Sequence, residues 1–127
     1  MTKSEYNKNM FLQALENKCN KIFLEYANKF DAADTAEVIK RVSISANIIA
    51  TRANQVINCV LNKTNCRVNE ILMKVILAKI RYIIISELVL FSTHFNFYDL
   101  DLTALDKLKC INFTFEFYLN AYINECV

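Results

Sequence analysis

The chain has 127 residues, 54% hydrophobic and 22% charged, with a formal net charge of +2. That length and apolar content suit one folded helical domain over residues 1–127 and exclude a disordered chain, while the near-neutral charge offers no electrostatic case for nucleic-acid binding. Neither Gly nor Pro occurs, which excludes glycine-built phosphate loops and nucleophile elbows and argues against an all-β domain with its tight hairpin turns.

The first predicted helix runs from about Lys3 to Phe30. Thr2 and Glu5 stand at capping-box spacing. Met10, Phe11, Ala14, Leu15, Cys19, Ile22, Phe23, Tyr26, Ala27 and Phe30 then recur at three- and four-residue steps, with Asn7, Gln13, Asn17, Lys21 and Asn28 mostly on other faces. Asp34 and Glu37 repeat the capping spacing ahead of a second helix, whose stripe is Val38, Val42, Ala46, Ile49, Ala53, Val56 and Val60. Ser43, Ile44 and Ser45 are weak helix formers and mark the expected place for a bend or break.

"NKTN" at 62–65 reads as a turn made without glycine. A third helix is expected from about Cys66 to Ser92. Arg67, Glu70, Lys74 and Arg81 line its first part, and polar residues nearly vanish in "YIIISELVLF". A helix apolar on almost all sides is either a buried central element or one covered by a partner. Its charges, Lys74, Lys79, Arg81 and Glu87, argue against a membrane span.

Residues 92–103 form the longest expected connection, and Asp101 or Thr103 would cap a fourth helix reaching about Glu125. Within it, "CINFTFEFYLN" alternates apolar and polar residues as a half-buried strand would. Over 105–126, however, Lys109, Asn112, Glu116, Asn120 and Asn124 fall on one helical stripe, with Leu108, Ile111, Phe115, Tyr118, Leu119, Tyr122 and Cys126 opposite. The helical pattern accounts for the longer segment. It places Phe115 in the core and Phe113 nearer solvent. The expected architecture is all-α, a four-helix antiparallel bundle; the alternative is a six- to seven-helix globule around a central apolar helix at 66–92.

The chemistry-bearing residues are few. The lone histidine, His94, stands beside Phe95 and forms no nucleophile–base pattern with Ser92 or Thr93. Glu87 is expected to reach solvent or pair with a base from another helix. Cys19, Cys59, Cys66, Cys110 and Cys126 contain no CxxC. Reduced thiols are the first expectation. In an oxidising compartment, bundle geometry allows Cys19–Cys110 plus one pair among the other three. No cofactor and no metal site are expected.

No basic stretch followed by an apolar run opens the chain, so an intracellular protein is expected, or a secreted one if a leader was removed. The heavy use of Ile, Asn and Lys suits an AT-rich genome such as those of many viruses and parasites. The functional expectation is a non-enzymatic protein-interaction module, either a viral or parasite modulator of host signalling or a self-associating structural protein such as a homodimer. Candidate contact residues are Phe95, Phe97 and Tyr98 in the connection, and Phe113 with Phe117 in the fourth helix. A lid over the bundle's end is the structural alternative for the first three. A secreted disulfide-stabilised ligand and a small ligand-binding protein are the alternative functions.

Overall fold

The computed structural model describes residues 3–32, 35–64 and 70–97, together with Phe115 and Tyr118. Among them are three helices: α1 (Lys3–Asn28), α2 (Ala36–Thr64) and α3 (Glu70–His94). The all-helical class holds for the described residues, which include no strand. Successive helices run antiparallel. Lys8, near the start of α1, donates from Nζ to Asn58 Oδ1 near the end of α2 at 3.3 Å. Glu37, at the start of α2, meets His94 at the end of α3, with Oε1 and Nε2 3.8 Å apart. α2 packs against both α1 and α3.

One core joins the helices. α1 contributes Phe11, Leu15, Cys19, Ile22, Phe23, Tyr26 and Ala27, all on the expected stripe. Met10 is exposed, whereas Asn7 is buried, the reverse of their expected placement. α2 contributes Val38, Val42, Ala46, Ile49, Ala53, Ile57 and Val60. Here Ile57 takes the buried place assigned to Val56, which is only partly covered.

α2 does not break at Ser43–Ser45. It is one helix of 29 residues, and this removes the expected bend on which the six- to seven-helix globule depended. Magnitudes explain the outcome. Weak propensity costs about 0.5 kcal/mol per residue, whereas burying one Val or Ile side chain contributes about 1.5–3 kcal/mol. Val42, Ala46 and Ile49 are all buried across that stretch. The helix also continues through Asn62, Lys63 and Thr64, so the expected turn is helical at these three positions, and Asn65 lies outside the described residues.

The helix ends show how a glycine-free chain stops. At the end of α1, Ala32 N–H donates to Ala27 O at 3.4 Å and Asp31 N–H to Asn28 O at 3.1 Å. Asp31 has φ of 55°. At the end of α3, Phe97 N–H donates to Ser92 O at 2.9 Å and Asn96 N–H to Thr93 O at 3.3 Å. Asn96 has φ of 58°. Both are Schellman motifs, whose left-handed residue is usually Gly. Asp and Asn are the side chains that tolerate this region best. The first motif ends α1 at Asn28, short of the expected Phe30. The second carries α3 past the expected Ser92 to His94. At the start of α2 the cap is Thr35, whose Oγ1 accepts from Val38 N–H at 3.3 Å; the expected cap, Asp34, lies outside the described residues.

Of the expected fourth helix, Phe115 and Tyr118 are described. Both are helical and buried. The Phe115 ring lies 5.0 Å from Phe11 of α1 and 6.2 Å from Tyr118. Residues three apart share a helix face, whereas in a strand they point to opposite sides. The alternation in "CINFTFEFYLN" is therefore incidental at these two positions, and Phe115 is core as expected. Phe113, Phe117 and the rest of that segment lie outside the described residues, as does the expected count of four helices.

Candidate functional site

The expected contact residues of the third connection fall into an aromatic cluster. Phe97 stacks on Phe30, with centroids 4.2 Å apart and planes 5° from parallel. Phe95 meets Phe91 edge-on at 5.1 Å. Tyr26 lies 6.0 Å from Phe97. Phe95 and Phe97 are half-buried and close over the end of α1 and α3, the lid arrangement weighed from the sequence. A hydrogen-bond chain pins it. Ser92 Oγ donates to Phe97 O at 3.3 Å, so the 2.9 Å contact between Tyr26 OH and Ser92 Oγ has Tyr26 as donor. Tyr98 lies outside the described residues, as do Phe113 and Phe117.

The outer face of α3 is different. Ile71 is 71% exposed, Val75 40%, Tyr82 69% and Val89 42%. Ala78 is exposed and Ile85 half-buried. Residues 71, 75, 78, 82, 85 and 89 follow one another at steps of four, three, four, three and four. That is the spacing of an apolar seam where one helix meets another. Beside it, between α2 and α3, runs an open groove of about 630 Å³. Val56, Cys59 and Val60 form its α2 wall, and Val75, Ala78, Tyr82 and Ile83 its α3 wall. Arg52, Gln55 and Lys79 supply its polar groups.

α3 is thus not a central element wrapped on all sides. Its other face carries the buried Ile76, Ile80, Ile84, Leu88 and Phe91. The apolar excess of "YIIISELVLF" divides between a buried face and an open one. Sequence reasoning singled out that stretch but missed Ile71, Val75 and the α2 wall. The four–three spacing through 71–89 was available as a signal.

Glu87 is buried and pairs with the part-exposed Arg52 at 3.7 Å, the second of its two expected fates. The pair ties α3 to α2 beside the groove. His94 closes α3, exposed and edge-on to Phe95 at 4.7 Å. Cys19 and Cys59 are both free thiols. Cys19 is buried in the core, and burial, with the nearby Glu16 carboxylate second, pushes its pKa from 9.0 up to about 12. It stays a neutral thiol near neutral pH. Its expected disulfide partner, Cys110, lies outside the described residues. Cys59 is exposed at the groove. Among the described residues no group of three or more His, Cys, Asp and Glu side chains could hold a metal ion, and no helix is long and apolar enough to cross a membrane.

Comparison with known proteins finds no matching family model, no matching curated protein and no matching solved structure.

Proposed function

We propose that the chain is a non-enzymatic protein-interaction module whose binding surface is the outer face of α3 with the adjoining groove. The observation that carries this reading is the exposed seam at 71, 75, 78, 82, 85 and 89. Large apolar residues scattered singly over a surface need no explanation, but a contiguous row at helix-pairing spacing marks a contact surface. Leaving Ile71 and Tyr82 in water forgoes about 1.5–3 kcal/mol of burial for each such side chain, and a partner recovers it. The aromatic cluster at the end of α1 and α3 has a different role in this reading. Its rings are spent on one another, so it fixes the two helix ends and holds the outer face of α3 straight.

A double variant, Val75→Asp with Tyr82→Asp, tests the reading. Both positions are exposed, so helicity by circular dichroism and the thermal midpoint should stay near those of the parent. Affinity capture with the parent should yield a partner that the variant loses. A partner retained by the variant places the contact elsewhere. A parent that captures nothing and remains monomeric removes the proposal.

A further inference from the structure

We infer that the partner seated on this surface is an amphipathic helix with acidic residues flanking its apolar stripe; this rests on the interaction-module reading above and adds the partner's shape and charge. Shape comes first. The seam's alternating steps give a period of about 3.5 residues, the repeat that keeps one helix facing another. Ala78 stands between Val75 and Tyr82, and the groove beside it is walled by Val56 and Cys59. A small residue beside a concavity leaves a hole for a side chain projecting from a second helix.

Charge decides between occupants. Lys79 lines the groove on one flank of the seam, and Lys74 and Arg81, each one position ahead of a seam residue, lie on the other. Glu87 is the sole carboxylate between residues 71 and 93, and it is buried against Arg52. Neither Lys79 nor Arg81 has a carboxylate partner among the described residues. At Lys79 and Arg81 the flanks therefore present cations with no paired carboxylate among the described residues, and a partner with Glu or Asp at its own flanking positions complements them.

The same charges count against a second copy of this chain. The seam's midpoint falls at residue 80. Antiparallel pairing about it sets Lys79 of one copy against Lys79 of the other and Arg81 against Arg81. Parallel pairing sets Lys74 against Lys79 twice. Like charges across a helical seam are the usual device for refusing a pairing. An anionic bilayer satisfies the charge but not the shape, because a flat surface leaves the α2 wall of the groove unfilled.

Two synthetic peptides test the inference on the full chain. They share one apolar stripe at four–three spacing, and one carries Glu at its flanks, the other Lys. By fluorescence anisotropy the Glu peptide should bind at least about tenfold tighter, the equivalent of one strong charge contact, and should weaken as salt rises. Lys79→Glu with Arg81→Glu should reverse the preference. Alkylation of Cys59, followed by mass spectrometry, should slow when the Glu peptide is bound. Equal binding of both peptides, unmoved by the charge reversal, overturns the acidic partner and leaves the interaction module standing. A doubled solution mass that Tyr82→Asp abolishes, with no peptide bound, assigns the surface to a second copy. Co-sedimentation with phosphatidylserine vesicles, again lost in Tyr82→Asp and without peptide binding, assigns it to membrane. Absence of all four interactions overturns the inference, and the module falls with it when affinity capture also yields no partner.

Discussion

The two faces of α3 are made of the same kinds of residue and meet different surroundings. Ile76, Ile80, Ile84, Leu88 and Phe91 are sealed in the core. Ile71, Val75, Tyr82 and Val89 stand in solvent within the same 25 residues. Hydrophobicity therefore says that a residue gains by leaving water. Which surface receives it depends on where the neighbouring helices lie. α2 covers one side of α3 and turns its own Val56, Cys59 and Val60 toward an open groove. The difference between the faces is thus an effect of tertiary placement, and it gives each face its own role.

The sharpest way to break this comparison is to truncate one aromatic on each face. Phe91→Ala should cost about 3–5 kcal/mol, the usual range for removing a buried ring, since Phe91 contacts Phe23, Tyr26, Phe95 and Phe97. Tyr82→Ala should fall within about 0.5 kcal/mol of the parent, as surface changes do. Urea unfolding measures both. Equal losses would mean that Tyr82 is as buried in solution as Phe91.

The two described thiols extend the comparison to pH. Cys19 has a folded pKa near 12 against 9.0 for the ordinary thiol. The folded state keeps its proton where the unfolded chain has lost it, so this group's contribution is complete below pH 9 and is lost as pH rises toward 12. The slope is about 1.4 kcal/mol per pH unit. Cys19→Ala should flatten the alkaline limb of the stability curve. In native protein at neutral pH, Cys59 should react with iodoacetamide while Cys19 is protected.

Adjacent hydroxyls give a finer contrast. Ser92→Ala leaves the buried Tyr26 hydroxyl without its acceptor and should cost about 1–3 kcal/mol. Thr93 is exposed and donates to its own helix at Val89 O, 2.9 Å away. Thr93→Ala should be neutral or slightly stabilising, because Ala is the better helix former. The smallest effect belongs to the end of the helix. Asn96→Gly should stabilise by about 0.5 kcal/mol, because Gly adopts the left-handed conformation without a Cβ penalty. A loss there would show that the Asn side chain does more than tolerate its backbone.

Much of this molecule was legible in advance for a physical reason: helical periodicity is a local property. The stripe from Phe11 to Ala27 appears in the order of residues, because a 3.6-residue repeat brings them to one side whatever they pack against. The absence of Gly and Pro likewise pointed to helices, and the two Schellman ends show Asp31 and Asn96 taking the position that glycine usually fills. The unbroken α2 was not legible, since its weak formers are overridden by contacts with residues far along the chain.

What the sequence determined by itself was the helical class and most of each apolar stripe, including the core place of Phe115, because these follow from spacing along a single helix. What the tertiary structure alone decided was which stripe is covered. Phe97, expected as a contact, stacks on Phe30 and meets Tyr26 of α1. The seam through Ile71, Val75 and Tyr82 is left open, and Glu87 finds Arg52 across the α2–α3 boundary. Each outcome depends on a neighbour distant in sequence, and periodicity within one helix contains no information about that neighbour's position.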